Sequence, residues 1–162
     1  MKTLKSNFCL VITFLLSIMI FSNLQVLAFQ NEPDNFRGIT WGADIKDVPD
    51  MVLKTDAENR KYYVRKDDKL KIGSAELDTL YYVFTNEKFS SVLIEFRSLS
   101  NAKALKESLF EQHGPGYRTK TVTEIYVWTG TTVGIAFEYN HIMERGEIRY
   151  FFLPMLNEER LK

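Results

Sequence analysis

The chain reads as a single α+β domain, a two-layer sandwich. An antiparallel sheet of about six to seven strands carries two helices on one face, in the order β-α-βββ-α-βββ. Three observations predict it. Several segments alternate apolar and polar residues with period two, the mark of half-buried strands. One segment, Ser100 to His113, instead repeats its apolar residues at helical spacing. Short turns rich in Gly, Asn and charged residues separate the segments, which favours hairpins over crossovers.

The first element is an export leader. Lys2 and Lys5 give a positive start, Phe8 to Phe21 is an apolar run, and Val26-Leu27-Ala28 offers a small-x-small cleavage site. A membrane-spanning helix needs roughly 20 continuous apolar residues. Ser22, Asn23 and Gln25 interrupt this run first. The expectation is therefore a cleaved signal peptide over residues 1–28, a periplasmic or secreted location, and no membrane contact after cleavage. Cys9, the only cysteine, leaves with it. The remaining chain has no disulfide, no thiolate nucleophile and no cysteine metal ligand. A disulfide-free domain of this size suits a bacterial periplasm better than a eukaryotic exterior.

Phe29 to Asn35 is a polar, Pro-containing stretch, expected to be a flexible leader (29–35). The domain proper is expected over residues 36–154. Phe36 to Gly42 suggests an edge strand, with Trp41 as a core plug. Ala43 to about Met51 suggests a short helix, because Ile45, Val48 and Met51 recur every three residues and Asp44 stands near the start. Pro49 limits it to one or two turns.

Strands follow at Lys61 to Arg65, Leu77 to Thr85 and Phe89 to Arg97, the last two joined around Asn86-Glu87-Lys88. In the last, Val92, Ile94 and Phe96 share one face; Ser91, Leu93, Glu95 and Arg97 share the other. Then comes the strongest helix, with Ala102, Leu105 and Leu109 on one stripe. Ser100 or Asn101 is a suitable cap, and Gly114-Pro115 a stop. Three more strands complete the sheet. Glu124 to Thr129 places Ile125 and Val127 opposite Tyr126 and Trp128. Val133, Ile135, Phe137 and Tyr139 share a side in the next, and Ile148 to Leu153 forms the last. Pro154 is expected to close the fold, leaving 155–162 as a charged tail. The two helix-plus-meander halves suggest an internal duplication.

The segment Phe36-Arg37-Gly38-Ile39-Thr40-Trp41-Gly42 resembles the opening of uncharacterised short exported bacterial proteins. Leu105-x-x-x-Leu109 before Gly114-Pro115, and Tyr126-Val127-Trp128-Thr129-Gly130, are similar to later parts of the same pattern. The resemblance covers about Phe36 to Leu153. Its motifs are structural, and it implies no activity and no functional residue.

Charge and motif spacing narrow the function. Over the whole chain 21 bases balance 21 acids. No basic patch marks a nucleic-acid footprint. Glu138, His141 and Glu144 stand at metal-ligand spacing, but the segment leaves a strand for a turn, so no metal site is expected. His113, in the last helical turn, suits the negative helix end. No serine sits in a nucleophile elbow. The glycines form no phosphate cradle, and no cofactor is implied. All eight Tyr and both Trp follow residue 28, and rings that are wet at one end favour contact surfaces. The expectation is a non-enzymatic domain that binds a protein, peptide or envelope component through an aromatic sheet face. Tyr126, Trp128 and Phe151 are its binding residues. The alternatives are a small periplasmic hydrolase with a scattered site, or a homodimeric structural subunit.

Overall fold

The computed structural model describes residues 29–119 and 123–160. The expected signal peptide, with Cys9, lies outside the described residues, as do the last two residues of the tail. The strands are β1 (Asn35–Phe36), β2 (Ile39–Thr40), β3 (Met51–Ala57), β4 (Arg60–Arg65), β5 (Lys71–Ile72), β6 (Ala75–Glu76), β7 (Thr79–Thr85), β8 (Lys88–Arg97), β9 (Tyr117–Arg118), β10 (Glu124–Thr129), β11 (Val133–Asn140) and β12 (Arg145–Phe152). The helices are α1 (Leu99–His113) and α2 (Leu153–Arg160). No helix among the described residues is long and apolar enough to cross a membrane.

Eight strands form one antiparallel sheet in the order β3-β4-β7-β8-β12-β11-β10-β9. Two small hairpins, β1-β2 and β5-β6, stand beside it. The α+β class therefore holds, with eight strands in the sheet rather than six or seven. The order has a symmetry that strand counting misses. β3, β4, β7 and β8 form one meander, β9 to β12 form another, and the two join by their last strands at the centre.

Alternation decides which side chains meet the core. Register aligns Leu80, Ile94 and Ile148 across three strands, and Tyr82, Val92, Tyr150 and Ile135 across four. All seven are buried. Ala102, Leu105 and Leu109 of α1 are buried in the same cluster. The β1-β2 hairpin brings Trp41, stacked on Phe89 with ring centroids 4.7 Å apart. Its indole N–H donates to the Pro33 carbonyl at 2.9 Å. Tyr82 is fully buried, and its hydroxyl donates to Asp68 at 2.5 Å. Asp68 in turn pairs with Arg37, which also donates to the Lys69 and Lys71 carbonyls. Burial first, then the bond to Asp68, push the Tyr82 phenol far above its ordinary range. It stays a neutral donor that ties β7 to the β4–β5 connection, which Arg37 in turn joins to the β1-β2 hairpin.

Four local expectations are corrected. The helix expected from Ala43 to Met51 is a single 3-10 turn, Ile45–Asp47. Spacing by three is the period of that tighter helix. Gly42 N–H bonds Phe89 O, Phe89 N–H bonds Ala43 O and Ile45 N–H bonds Glu87 O, which holds this backbone extended against the β7–β8 hairpin. The cap of α1 is Ser98, whose Oγ accepts from Asn101 N–H, rather than Ser100 or Asn101. Gly114 ends α1 with φ 76°, as its position predicts. Pro154 does not close the fold: it enters the first turn of α2, where the missing N–H costs nothing. Most of the expected charged tail is therefore helical.

The fourth correction concerns residues 29–35, which form a strap rather than a loose leader. Gln30 N–H donates to the His113 carbonyl at 3.0 Å, and Asn31 to that of Gln112 at 2.8 Å. Phe29 stands edge-on to the His113 ring at 5.2 Å. Glu32 accepts from the N–H groups of Thr131, Thr132 and Val133 and from the Thr131 hydroxyl. Burial raises this carboxyl, but the four hydrogen bonds together outweigh it and hold its pKa below the ordinary 4.5. A lowered pKa gives stability that is complete above the unfolded value and lost as pH falls through the folded one. Glu32→Gln is expected to cost about 1–2 kcal/mol near neutral pH. The gap from wild type should close in acid, as urea unfolding across pH would show. A gap independent of pH would mean that the carboxylate's charge contributes nothing there.

Candidate functional site

Register places the three aromatic residues on different faces. Tyr126 pairs with Phe137 and Trp128 with Ile135, so both point to the covered face. Trp128 is 2% exposed, and its indole donates to the Gly114 carbonyl at 2.8 Å. Tyr126 stands edge-on to Phe110 of α1 at 5.0 Å, with Lys106 and Arg118 near its ring. These two rings are core and helix packing; the expectation that they line an exposed face is corrected. Phe151 is on the open face, in register with Gly134 on one side and Ser91 on the other. It is half-buried.

The open face is organised in cross-strand rows. One row runs Thr129, Gly134, Phe151, Ser91, Val83 and Tyr62. The next runs Val127, Ala136, Arg149, Leu93 and Tyr81. Tyr62 and Tyr81 meet edge to face at 6.0 Å. The third row is Glu138, Glu147 and Glu95, three carboxylates directly opposite one another on β11, β12 and β8. The fourth is Asn140, Arg145 and Arg97. Like charges directly opposite destabilise a sheet by roughly 0.2–1 kcal/mol per pair. Arg149 relieves part of this by reaching Glu147 at 2.6 Å, while Arg97 is engaged by Asp78 at 2.9 Å, outside the row. Glu95, Glu138 and Arg145 have no ion-pair partner among the described residues.

These seven charged side chains line an open groove of about 480 Å³, centred where the two meanders join. That is the size range of small-molecule and peptide sites. None of the seven was expected from sequence to be a site residue; Glu138 was weighed only as a metal ligand and set aside. Alternation did place Glu95 and Arg97 on one side of their strand. The signal stops there, because the β8–β12 pairing joins residues some fifty positions apart and no local pattern reports it.

The histidines stand elsewhere. His113 is buried at the end of α1, its Nδ1 3.2 Å from the Gln30 carbonyl and 3.1 Å from that of Asn31. Carbonyls only accept, so Nδ1 carries the proton and the ring anchors the strap. His141 lies 3.3 Å from Glu124, not against Glu138 or Glu144. Glu124 also accepts from Lys106 at 2.7 Å. Burial raises the Glu124 carboxyl, but Lys106, His141 and Arg118 together hold it below the ordinary carboxylate value. Among the described residues no three His, Cys, Asp or Glu groups are arranged to hold a metal ion. The carboxylate row of the groove is thus spread along the sheet rather than gathered on one point. Comparison with known proteins finds no matching family model, no matching curated protein and no matching solved structure.

Proposed function

We propose that the chain is an exported, non-enzymatic binding domain of the bacterial envelope that takes a short peptide bearing both signs of charge. The groove at the centre of the open face is its seat. One observation carries the reading: Glu95, Glu138 and Arg145, all without ion-pair partners among the described residues, line the same groove. An ammonium group entering the carboxylate row relieves the repulsion between neighbouring glutamates. A carboxylate meets the Arg145 guanidinium as a two-point hydrogen-bonded pair. The aromatic contribution comes from Tyr62, Tyr81 and Phe151 on the adjoining rows, in place of Tyr126 and Trp128. The leader Lys2 to Ala28 is what supports the exported location.

The test uses the peptide Ala-Ala-Lys-Glu with free termini, titrated calorimetrically into the domain lacking residues 1–28. Arg145→Glu is expected to weaken binding at least about tenfold, the scale of a lost charge-assisted pair. Arg145 is exposed, so the variant should melt within a few degrees of wild type. Equal affinity in both proteins removes the groove from the function.

A further inference from the structure

The charged groove does not end at β7. A second hollow of about 310 Å³ begins at Asp78 and Thr79, which line both spaces. It continues past the end of β4 to the connection that follows. Its character is different. Val64 and Leu70 supply an apolar wall, and Leu70 is 44% exposed although it is a large aliphatic side chain. Asp67, also exposed, stands on its rim. The two hollows thus form one channel, charged at the β11–β12 end and apolar at the β4 end.

Sheet geometry sets its length. From β12 to β4 the order crosses β8 and β7, three strand spacings. At roughly 4.8 Å each this is about 14 Å. Tyr63 pairs with Tyr82, so the next residue, Val64, falls level with Tyr81, Leu93 and Arg149. An extended peptide advances about 3.3 Å per residue, so about four residues span the distance from Arg149 to Val64. The ends differ in charge as well. Asp67, Asp68 and Asp78 outnumber Arg65 around the apolar end, whereas Arg97, Arg145 and Arg149 balance Glu95, Glu138 and Glu147 around the other. This polarity matches a peptide whose amino terminus lies near Asp67 and whose carboxyl terminus lies near Arg149.

We infer that the ligand is an extended peptide of about four residues with an aliphatic side chain at its amino-terminal end, seated against Leu70 and Val64, and its charged residues in the glutamate–arginine groove. The inference rests on the binding function proposed above and adds the sequence preference of that site. The apolar hollow selects the first side chain. The charged rows select a cationic residue followed by a carboxylate.

Two peptides and two variants test it. Leu-Ala-Lys-Glu and Ala-Ala-Lys-Glu, both with free termini, are titrated into the domain lacking residues 1–28. Wild type is expected to bind the leucine peptide about tenfold or more tightly, the discrimination an apolar pocket provides for a few methylenes. Leu70→Ser should remove that preference while leaving the affinity for Ala-Ala-Lys-Glu within about twofold. Val64→Thr, which keeps shape but adds a hydroxyl, should shrink the preference in the same direction and guards against a folding effect of the first variant. Equal binding of the two peptides by wild type overturns the inference, as does a preference that survives both substitutions; the charged-groove function then stands. Binding of neither peptide overturns both.

Discussion

Trp128→Ala is expected to cost roughly 3–5 kcal/mol, enough to consume much of the 5–15 kcal/mol that holds a typical domain folded. The indole is 2% exposed. It packs against Phe110 at 5.7 Å and Tyr126 at 6.4 Å. Gly116 lies so close that a Cβ there would be 2.7 Å from the indole ring. Truncation therefore empties a space walled by α1, β10 and the turn after the helix. It also removes the donor to the Gly114 carbonyl, at the residue that ends α1. A buried acceptor left without its donor adds about 1–3 kcal/mol before relaxation. Phe151→Ala is the control: a half-exposed ring on the opposite face should cost distinctly less. Urea unfolding of the two variants decides the matter. If Trp128→Ala stays within about 1 kcal/mol of wild type, the covered-face assignment of β10 is wrong. The consequence for function is direct. Loss of binding in a Trp128 variant reports a damaged core, whereas loss in an Arg145 variant reports the groove.

The same residue shows where sequence reading reaches its limit. Period two separates Ile125 and Val127 from Tyr126 and Trp128, but both sets are apolar, so alternation does not say which faces the helix. A slip of one residue exchanges the faces. Only the pairing Tyr126 with Phe137, on a strand whose inner face is unambiguous, resolves it. Helix α1 was legible because its stripe, its polar face and its Gly114 stop agree with one another. So was the inward set Val92, Ile94 and Phe96, each at most 1% exposed. The strap was not legible. Glu32 finds its donors about a hundred positions away, and a short polar segment with a proline carries no periodicity to announce a docking site. The groove was half legible: Glu95 and Arg97 fell on the outward side of β8. Their alignment with Glu147 and Arg145 depends on two meanders meeting by their last strands.

That junction supplies the second large effect. Gly146→Ala is expected to destabilise by about 3 kcal/mol or more, at or above the upper end of ordinary overpacking. Gly146 sits on β12 between Phe96 of β8 and Tyr139 of β11. A Cβ there would be 2.3 Å from Phe96 Cζ and 2.6 Å from the Glu138 carbonyl oxygen. The first contact is with a ring that has nowhere to go: Phe96 is 1% exposed and stacked on Phe137 at 5.7 Å and Tyr139 at 6.2 Å. The second is with backbone, which yields only if the β11–β12 ladder bends. Gly146 is not in a left-handed conformation, so the requirement is for space rather than dihedral freedom. The alanine substitution would otherwise gain about 0.4–1 kcal/mol from a stiffer unfolded chain; the clash exceeds this. Combining it with Phe96→Leu separates the two contacts. The smaller side chain removes the ring clash and leaves the carbonyl, so the double variant should be more stable than the two single losses added together, by about 1 kcal/mol or more. Strict additivity would mean that the backbone contact alone sets the cost. Because Gly146 and Phe96 both line the charged groove, a bent ladder also shifts Glu138 and Glu147 relative to each other. The absent side chain at position 146 thus lets one aromatic ring fill the core from below while the carboxylate row keeps its alignment above.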